Sequence, residues 1–283
     1  MIKIGDIISN RYNVLSHLGT GGMAVVFECK DLYSGNIVAL KILKEECLAD
    51  KQNVESFTKE VKAAVSMSHP NIVEVYEQGV FENRPYLVME FLRDQTLLDK
   101  LEYFAKFSKR EACQIMIQLL DAVSYTHKHS IIHRDIKPQN LFYLPNGTIK
   151  LGDFGIAKTT EEYEKNNRLM GSVHYLAPEV LVGKPFSIAS DIYASGVTFY
   201  QLLTGILPFE GSTKEVADAQ IKKPFPNAGL INAEVDENLD EIIQKATEKN
   251  PKNRYKNAEE FKEAILAYLE GRKIKKSFWS RLF

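Results

Sequence analysis

Between residues 12 and 90, short apolar runs alternate with polar punctuation. "YNVLSHL" (12–18), "VVFECKD" (25–31), "NIVALKIL" (36–43), "IVEVYEQG" (72–79) and "PYLVME" (85–90) are rich in β-branched and aromatic residues and bounded by Gly, Pro or Asn. Such runs predict strands. One helix interrupts them, because Phe57, Val61, Ala64 and Val65 recur at i, i+4, i+7 and i+8. From about residue 95 the helical period takes over. Ser108 with Glu111 three positions on gives a capping-box signature, and the apolar face then runs Ala112, Ile115, Leu119, Ala122 and Val123. Further helical patterns cover 190–204, 239–247 and 258–269, and "NLFYLPNGTIKL" (140–151) predicts a hairpin around Asn146–Gly147. A small sheet-based part therefore precedes a larger helical one. "VMEFLRD" (88–94) connects them, and neither an internal repeat nor a low-complexity tract is present.

Bulk properties narrow the function classes without choosing one. With 283 residues the chain can bury a sizeable core, and a net charge of −1 gives no reason to expect nucleic acid as a ligand. Cys29, Cys47 and Cys113 are odd in number and lack metal-like spacing, which suits a reducing compartment. The N-terminus "MIKIGDIISN" is too polar for a signal peptide, and no apolar run is long enough to span a bilayer. The expectation is a soluble, cytoplasmic protein.

Three clusters of residues carry candidate chemistry. In "LGTGGMAVVF" (18–27), Gly19, Gly21 and Gly22 let the backbone turn tightly and offer N–H groups to phosphate oxygens; a glycine-rich hairpin with no ligand is the alternative. In "NIVALKIL", alternation puts Val38, Leu40 and Ile42 on one face and Ala39 and Lys41 on the other. A lysine on an inner face needs a partner, and Glu60 flanks the inward face of the next helix; two unrelated surface charges are the alternative. In "HRDIKPQN" (133–140), Asp135, Lys137 and Asn140 crowd into six positions, either as a solvated turn or as one constellation. The hairpin that follows would return Asp153 of "DFG" (153–155) beside Asn140, and an amide and a carboxylate converging on one point suit Mg²⁺; a simple turn-former before Phe-Gly is the alternative for Asp153.

The ordered set resembles a family. The glycine loop (19–26), "VALK" ending at Lys41, Glu60, "HRDIKPQN", "DFG", "APE" (177–179), Asp191 in "SDIYASGV" and Arg254 in "KNPKNRY" together resemble a eukaryotic-like (bacterial Hanks-type) protein serine/threonine kinase over about residues 10–268. The resemblance implies an α+β, bilobal kinase fold: a small antiparallel sheet lobe with one helix over 1–91, a larger helical lobe over 92–269, and a separate tail over 270–283. It implies transfer of the γ-phosphoryl of Mg-ATP, with Mn²⁺ as a substitute metal, to Ser/Thr hydroxyls of protein substrates. Lys41, held by Glu60, then contacts the α/β-phosphates. Gly19 and Gly21 cover the phosphates. Leu18, Val26, Ala39, Met89 and Phe142 enclose the adenine, and backbone groups of Glu90 and Leu92 bond it. Asn140 and Asp153 hold metal, Asp135 accepts the hydroxyl proton, and Lys137 neutralises the moving phosphoryl. The spacing of Lys137 from Asp135, and Ser172 in "GSVHYLAPE", favour Ser/Thr over Tyr acceptors. His133 and Phe154 are implied to pack, Asp191 to cap the loop around Asp135, and Glu179 and Arg254 to form a buried pair.

Two stretches depart from the pattern. Arg134 implies activation through a phosphorylated segment, yet "GIAKTTEEYEKNNRLMGS" (155–172) carries threonines only at 159 and 160, with Glu164 and Asn166 where the family places its phosphosites. Either Thr159 or Thr160 takes the phosphate, by autophosphorylation in a transient homodimer, or Glu164 supplies a standing charge, or the segment is a solvated acidic run. The tail after Glu270 holds Arg272, Lys273, Lys275, Lys276 and Arg281 with no acid, plus Phe278, Trp279, Leu282 and Phe283. That composition can bind an anionic lipid surface, giving peripheral membrane association, or a partner groove; disorder or packing on the larger lobe are the alternatives. Rival functions are a pseudokinase scaffold, against which Lys41, Glu60, Asp135, Asn140 and Asp153 all stand, and a small-molecule phosphotransferase, against which "APE" and Arg254 stand.

Overall fold

The strand-forming runs build one antiparallel sheet. In the computed structural model, which describes residues 2–65, 67–93, 95–153 and 173–272 (side chains at 56, 59, 60 and 63 excepted), β1 (Ile7–Ile8), β2 (Tyr12–Thr20), β3 (Ala24–Asp31), β4 (Ile37–Leu43), β5 (Val75–Phe81) and β6 (Arg84–Glu90) lie in the order β1-β2-β3-β4-β6-β5. Period-two alternation sorts their side chains onto two faces. Val38, Leu40 and Ile42 join Tyr12, Val14, Phe27, Tyr86 and Val88 in one buried cluster. Ala24, Leu43 and Leu87 join Phe57 and Val61 of α1 (Lys51–Val65) in the other. Arg11 ties together two strands that are not neighbours in the sheet: the guanidinium holds Asp31 of β3 at 2.7 and 2.9 Å and Glu77 of β5 at 2.7 Å. That contact keeps the Asp31 carboxyl well below the usual carboxylate range.

One expected core position fails. Val65 is exposed, although Phe57, Val61 and Ala64 are buried. Eight positions on from Phe57 it is rotated about 80° off the stripe, at the last residue of the helix.

The described residues divide by contact into two units, 2–93 and 95–153 with 173–272. The second is mainly helical: α2 (Leu97–Phe104), α3 (Lys109–Lys128), the short α4 (Pro178–Leu181), α5 (Ile188–Thr204), α6 (Thr213–Lys222), α7 (Glu237–Ala246) and α8 (Ala258–Leu269), with the hairpin β7 (Leu141–Tyr143) and β8 (Ile149–Leu151). Ser108 caps α3 by accepting from the Glu111 N–H, and the predicted face Ala112, Ile115, Leu119, Ala122, Val123 is fully buried. Helix α5 is buried along nearly its whole length, its polar Ser195 and Thr204 hydroxyls donating to the Asp191 and Tyr200 carbonyls one turn back. Its Gly196 is obligatory, since a Cβ there would stand 2.8 Å from Ala246 and Thr247. The chain thus has the expected α+β class, an antiparallel sheet with one helix followed by a helical unit. Helices α2 and α6 were not foreseen, although Thr96–Asp99 and Ser212–Glu215 form full capping boxes legible at both starts.

Candidate active site

In the sheet unit, strand register decides which side chains share a face. Gly19 pairs with Val26, Val26 with Lys41, and Lys41 with Leu87; one row on, Glu28 pairs with Ala39 and Ala39 with Met89. Val26, Ala39, Lys41 and Met89 therefore stand on the face opposite Val38, Leu40 and Ile42. Met89 also packs against the Phe57–Val61 cluster. Leu18 falls in a register break between His17 and Gly19 and is largely exposed. Neither Gly19 nor Gly21 uses a positive φ, so the tight turn does not itself demand glycine. What they provide is bare backbone: a Cβ at Gly19 would meet nothing within 4 Å, and one at Gly21 only the Ala24 carbonyl at 3.5 Å. Glu90 donates its N–H to the Glu74 carbonyl at 2.9 Å, so any bond from its backbone to a base must come from its carbonyl. Leu92 is half-buried just before the unit ends. Glu60 lies in α1, but its side chain, and with it the Lys41–Glu60 pair, is outside the described residues.

In the helical unit the three polar residues of "HRDIKPQN" do converge. The Asp135 carboxylate accepts from Lys137 Nζ at 2.9 and 3.0 Å and from Asn140 Nδ2 at 3.0 Å. Asn140 Nδ2 also donates to the Asp135 carbonyl at 2.7 Å. Asp135 and Asn140 are buried and Lys137 nearly so, a setting in which ionic groups persist only when paired and hydrogen-bonded. The solvated-turn alternative is excluded here.

A remote helix holds this loop. Asp191 of α5, itself buried, accepts the backbone N–H of His133 at 2.8 Å and of Arg134 at 3.0 Å, while His127 Nε2 meets it at 2.8 Å. Those bonds maintain Arg134 at φ +71, a conformation costly for a non-glycine residue. The fully buried His133 accepts the Asp135 N–H on Nδ1 at 3.3 Å, so its proton sits on Nε2, 3.2 Å from the Gly152 carbonyl. Burial lowers its pKa and keeps the ring neutral. His133 is a packing and loop-ordering residue.

The hairpin completes the approach of Asp153. Gly147 takes φ +81, Leu144 and Thr148 close a five-residue loop, and Gln118 of α3 clamps it through the Gly147 carbonyl and the Ile149 N–H, both at 3.0 Å. The Gly152 N–H then donates to the Asn140 carbonyl at 2.9 Å, which sets Asp153 beside Asn140. Asp153 is exposed and, like Arg134, sits at positive φ (+57). Phe142, half-buried, pairs with Lys150 and bridges to Thr96, while Leu141 and Leu151 point into the core. Arg254 and Glu179 form a bidentate buried pair at 2.7 Å, with Arg254 also donating to the Ala189 and Glu248 carbonyls. Phe154, Thr159, Thr160, Glu164, Asn166, Ser172 and the tail from Lys273 lie outside the described residues. Sequence reasoning missed His127 and Gln118, for which no local signal exists.

Known proteins place this arrangement. The family model for the protein kinase domain matches residues 12–265. A probable serine/threonine-protein kinase PknB of Lactococcus lactis is 40% identical over 264 residues, covering 92% of this chain and 42% of that protein. The serine/threonine-protein kinase PrkC of Bacillus subtilis is 38% identical over 265 residues, covering 93% and 41%. The chain thus spans about two fifths of the length of these curated relatives. Among solved structures, the Mycobacterium tuberculosis PknI kinase domain superposes with a TM-score of 0.75 at 24% identity, covering 94% of this chain and 98% of that one. The chain belongs to the protein kinase family, alongside the bacterial serine/threonine kinases.

Proposed function

We propose that this chain transfers the γ-phosphoryl group of Mg-ATP to serine or threonine hydroxyls of protein substrates. The observation that carries the reading is the Asp135–Lys137–Asn140 cluster, set beside Asp153 and fixed by Asp191. In the transfer, the acceptor oxygen forms a bond to the γ-phosphorus while the bond to the β,γ-bridging oxygen breaks, ADP leaving with the electron pair. Asp135 orients the hydroxyl and takes its proton. Lys137, already 2.9 Å from that carboxylate, screens the charge on the migrating group. Lys41 binds the α/β-phosphates of the same nucleotide, with Glu60 as its partner. The bare backbone at Gly19 and Gly21 covers the phosphates. Leu18, Val26, Ala39, Met89 and Phe142 contact the adenine, and the Glu90 carbonyl and Leu92 backbone bond its edge.

The donor set fits a hard cation. With Nδ2 engaged by Asp135, the oxygen of the Asn140 amide is the end that can face a metal, and Asp153 offers an exposed carboxylate. Two oxygen ligands suffice for Mg²⁺, which keeps waters and phosphate oxygens in its shell, and Mn²⁺ accepts the same donors. When bound, the ion would neutralise phosphate charge.

Labelled ATP with a general acceptor protein tests the reading. Wild type labels serine and threonine, and Asp135→Asn loses about 10²–10⁴-fold in rate while melting as a folded protein. Full activity in Asp135→Asn, or label on tyrosine alone, overturns it. Control of activity is assigned to residues 155–172 acting on Arg134, by autophosphorylation at Thr159 or Thr160 in a transient homodimer. Collapse of activity in the Thr159→Ala/Thr160→Ala double variant supports this; undiminished activity after phosphatase treatment transfers the role to Glu164.

A further inference from the structure

Residues 173–181 supply no group to phosphoryl transfer, yet the fold grips them at two points. One is the Glu179–Arg254 ion pair. The other is an amide. Gln220 of α6 is fully buried, and its Nε2 donates to the His174 carbonyl. A carbonyl only accepts, so the amide nitrogen has to face His174. Oε1 then faces the hydroxyl of Tyr193 in α5, which donates to it. Among the described residues this amide is the hydrogen bond that the His174 carbonyl receives. The His174 ring is fixed as well, its Nδ1 donating to the Phe209 carbonyl at 3.0 Å.

Gln220 is itself held from behind. In a continuing helix its carbonyl would pair with the N–H of residue 224, but residue 224 is proline and has none. Lys249 Nζ takes that carbonyl instead, at 2.8 Å, and the Lys249 carbonyl accepts from Arg254 Nη2 at 3.3 Å. The two grips therefore share one support. A buried amide persists only when both of its ends are matched, and matched ends fix the groups they bond.

The gripped turn stands beside the reacting loop. Tyr175 donates its hydroxyl to Gln201 Oε1 at 2.5 Å, and burial, with the Asp135 charge contributing, raises its pKa. Residues 173–175 thus flank the loop that carries Asp135. On the kinase reading of this chain, we propose that Gln220 is a positioning residue for the protein acceptor: through the His174 carbonyl it sets the 173–175 turn along which the acceptor polypeptide lies beside Asp135. Buried away from ATP and from the hydroxyl, it acts on acceptor binding alone.

Steady-state phosphorylation of dephosphorylated casein, with ATP and casein varied separately, tests this. Gln220→Met keeps the side-chain length and removes both hydrogen bonds. The KM for casein should rise about two- to tenfold, the range one lost hydrogen bond spans, while kcat and the KM for ATP stay at wild-type values. Tyr193→Phe frees only the far end of the amide and should raise the casein KM less, in the same direction. Ile242→Val trims a buried side chain of α7 and controls for lost stability. It should lower the melting temperature and leave both KM values alone. A casein KM unchanged in both Gln220→Met and Tyr193→Phe overturns the proposal. So does a joint rise of both KM values, or an equal rise of the casein KM in Ile242→Val. Where Gln220→Met fails to fold, Tyr193→Phe decides alone by the same criterion. Wild type that labels no serine or threonine overturns the kinase reading and this proposal with it, whereas a labelling wild type beside unchanged variants overturns this proposal only.

Discussion

Asp135 has a named partner for its carboxylate, its N–H and its carbonyl, whereas the side of Gly19 on which a side chain would stand is open. The carboxylate of Asp135 is held by Lys137 and Asn140, its N–H by His133, and the two preceding N–H groups by Asp191. A Cβ added at Gly19, by contrast, would touch nothing within 4 Å. The two regions belong to one proposed chemistry but answer different needs. A group that must take a proton from one oxygen has to be preorganised, because small misplacements forfeit rate. A loop that covers phosphates has to admit and release a nucleotide, so it gains from a backbone whose approach no side chain blocks.

The comparison can be broken most decisively at Asp191. Replacing it by Ala leaves the His133 and Arg134 N–H groups buried without an acceptor. The expected loss is roughly 2–5 kcal/mol of stability in denaturant melts, with phosphotransfer falling alongside. If activity survives, Asp135 is not positioned by that helix. A similar loss, about 3–5 kcal/mol, is expected for Arg254→Ala, which strands buried Glu179, again read by denaturant unfolding. Gly19→Ala should do the opposite: an unchanged melting temperature, and a change confined to the KM for ATP in a steady-state titration. Gly147→Ala separates space from conformation, since it also meets nothing within 4 Å but sits at φ +81. It should cost about 1 kcal/mol, visible as a small drop in melting temperature.

A last expected effect concerns pH. Lys249 is surrounded by Tyr193, Phe209 and Phe225, with its ammonium on the Gln220 carbonyl at 2.8 Å. Burial, then the charge of Arg254, pushes it down to about 8, with Glu248 opposing. Its folded value lies below its unfolded one, so between about pH 8 and 10.5 the unfolded chain binds more protons at this site and stability rises with pH. Burial raises Cys29 and Cys113 to about 12, which acts in the opposite sense above pH 9. The difference between wild type and Lys249→Met isolates the lysine: the variant should gain least at pH 10 and most at pH 7, in parallel melts.

Legibility followed sequence distance. Asp135, Lys137 and Asn140 fall within six positions, and a loop that short can place them only near one another. The Asn146–Gly147 turn was legible because Gly tolerates positive φ, which the structure uses at 147. The β4 alternation was equally plain. Val65 misled because a helical stripe is narrower than the run of apolar letters. Helices α2 and α6 were overlooked because each buries few side chains, although their capping boxes were in view. His127 and Gln118 carried no signal, since neither belongs to a local pattern and each acts on a segment beyond its own helix.

The sequence by itself determined the order of elements, the face on which Lys41 stands and the chemical identity of the Asp135 cluster. These depend on period, turn chemistry and short spacing, all of which are local. Only the tertiary structure decided that Asp191, more than fifty residues downstream, fixes the backbone of that cluster, and that Glu90 has already committed its N–H. Hydrogen bonds and packing between distant segments obey no period along the chain, so they become visible only once the chain has closed on itself.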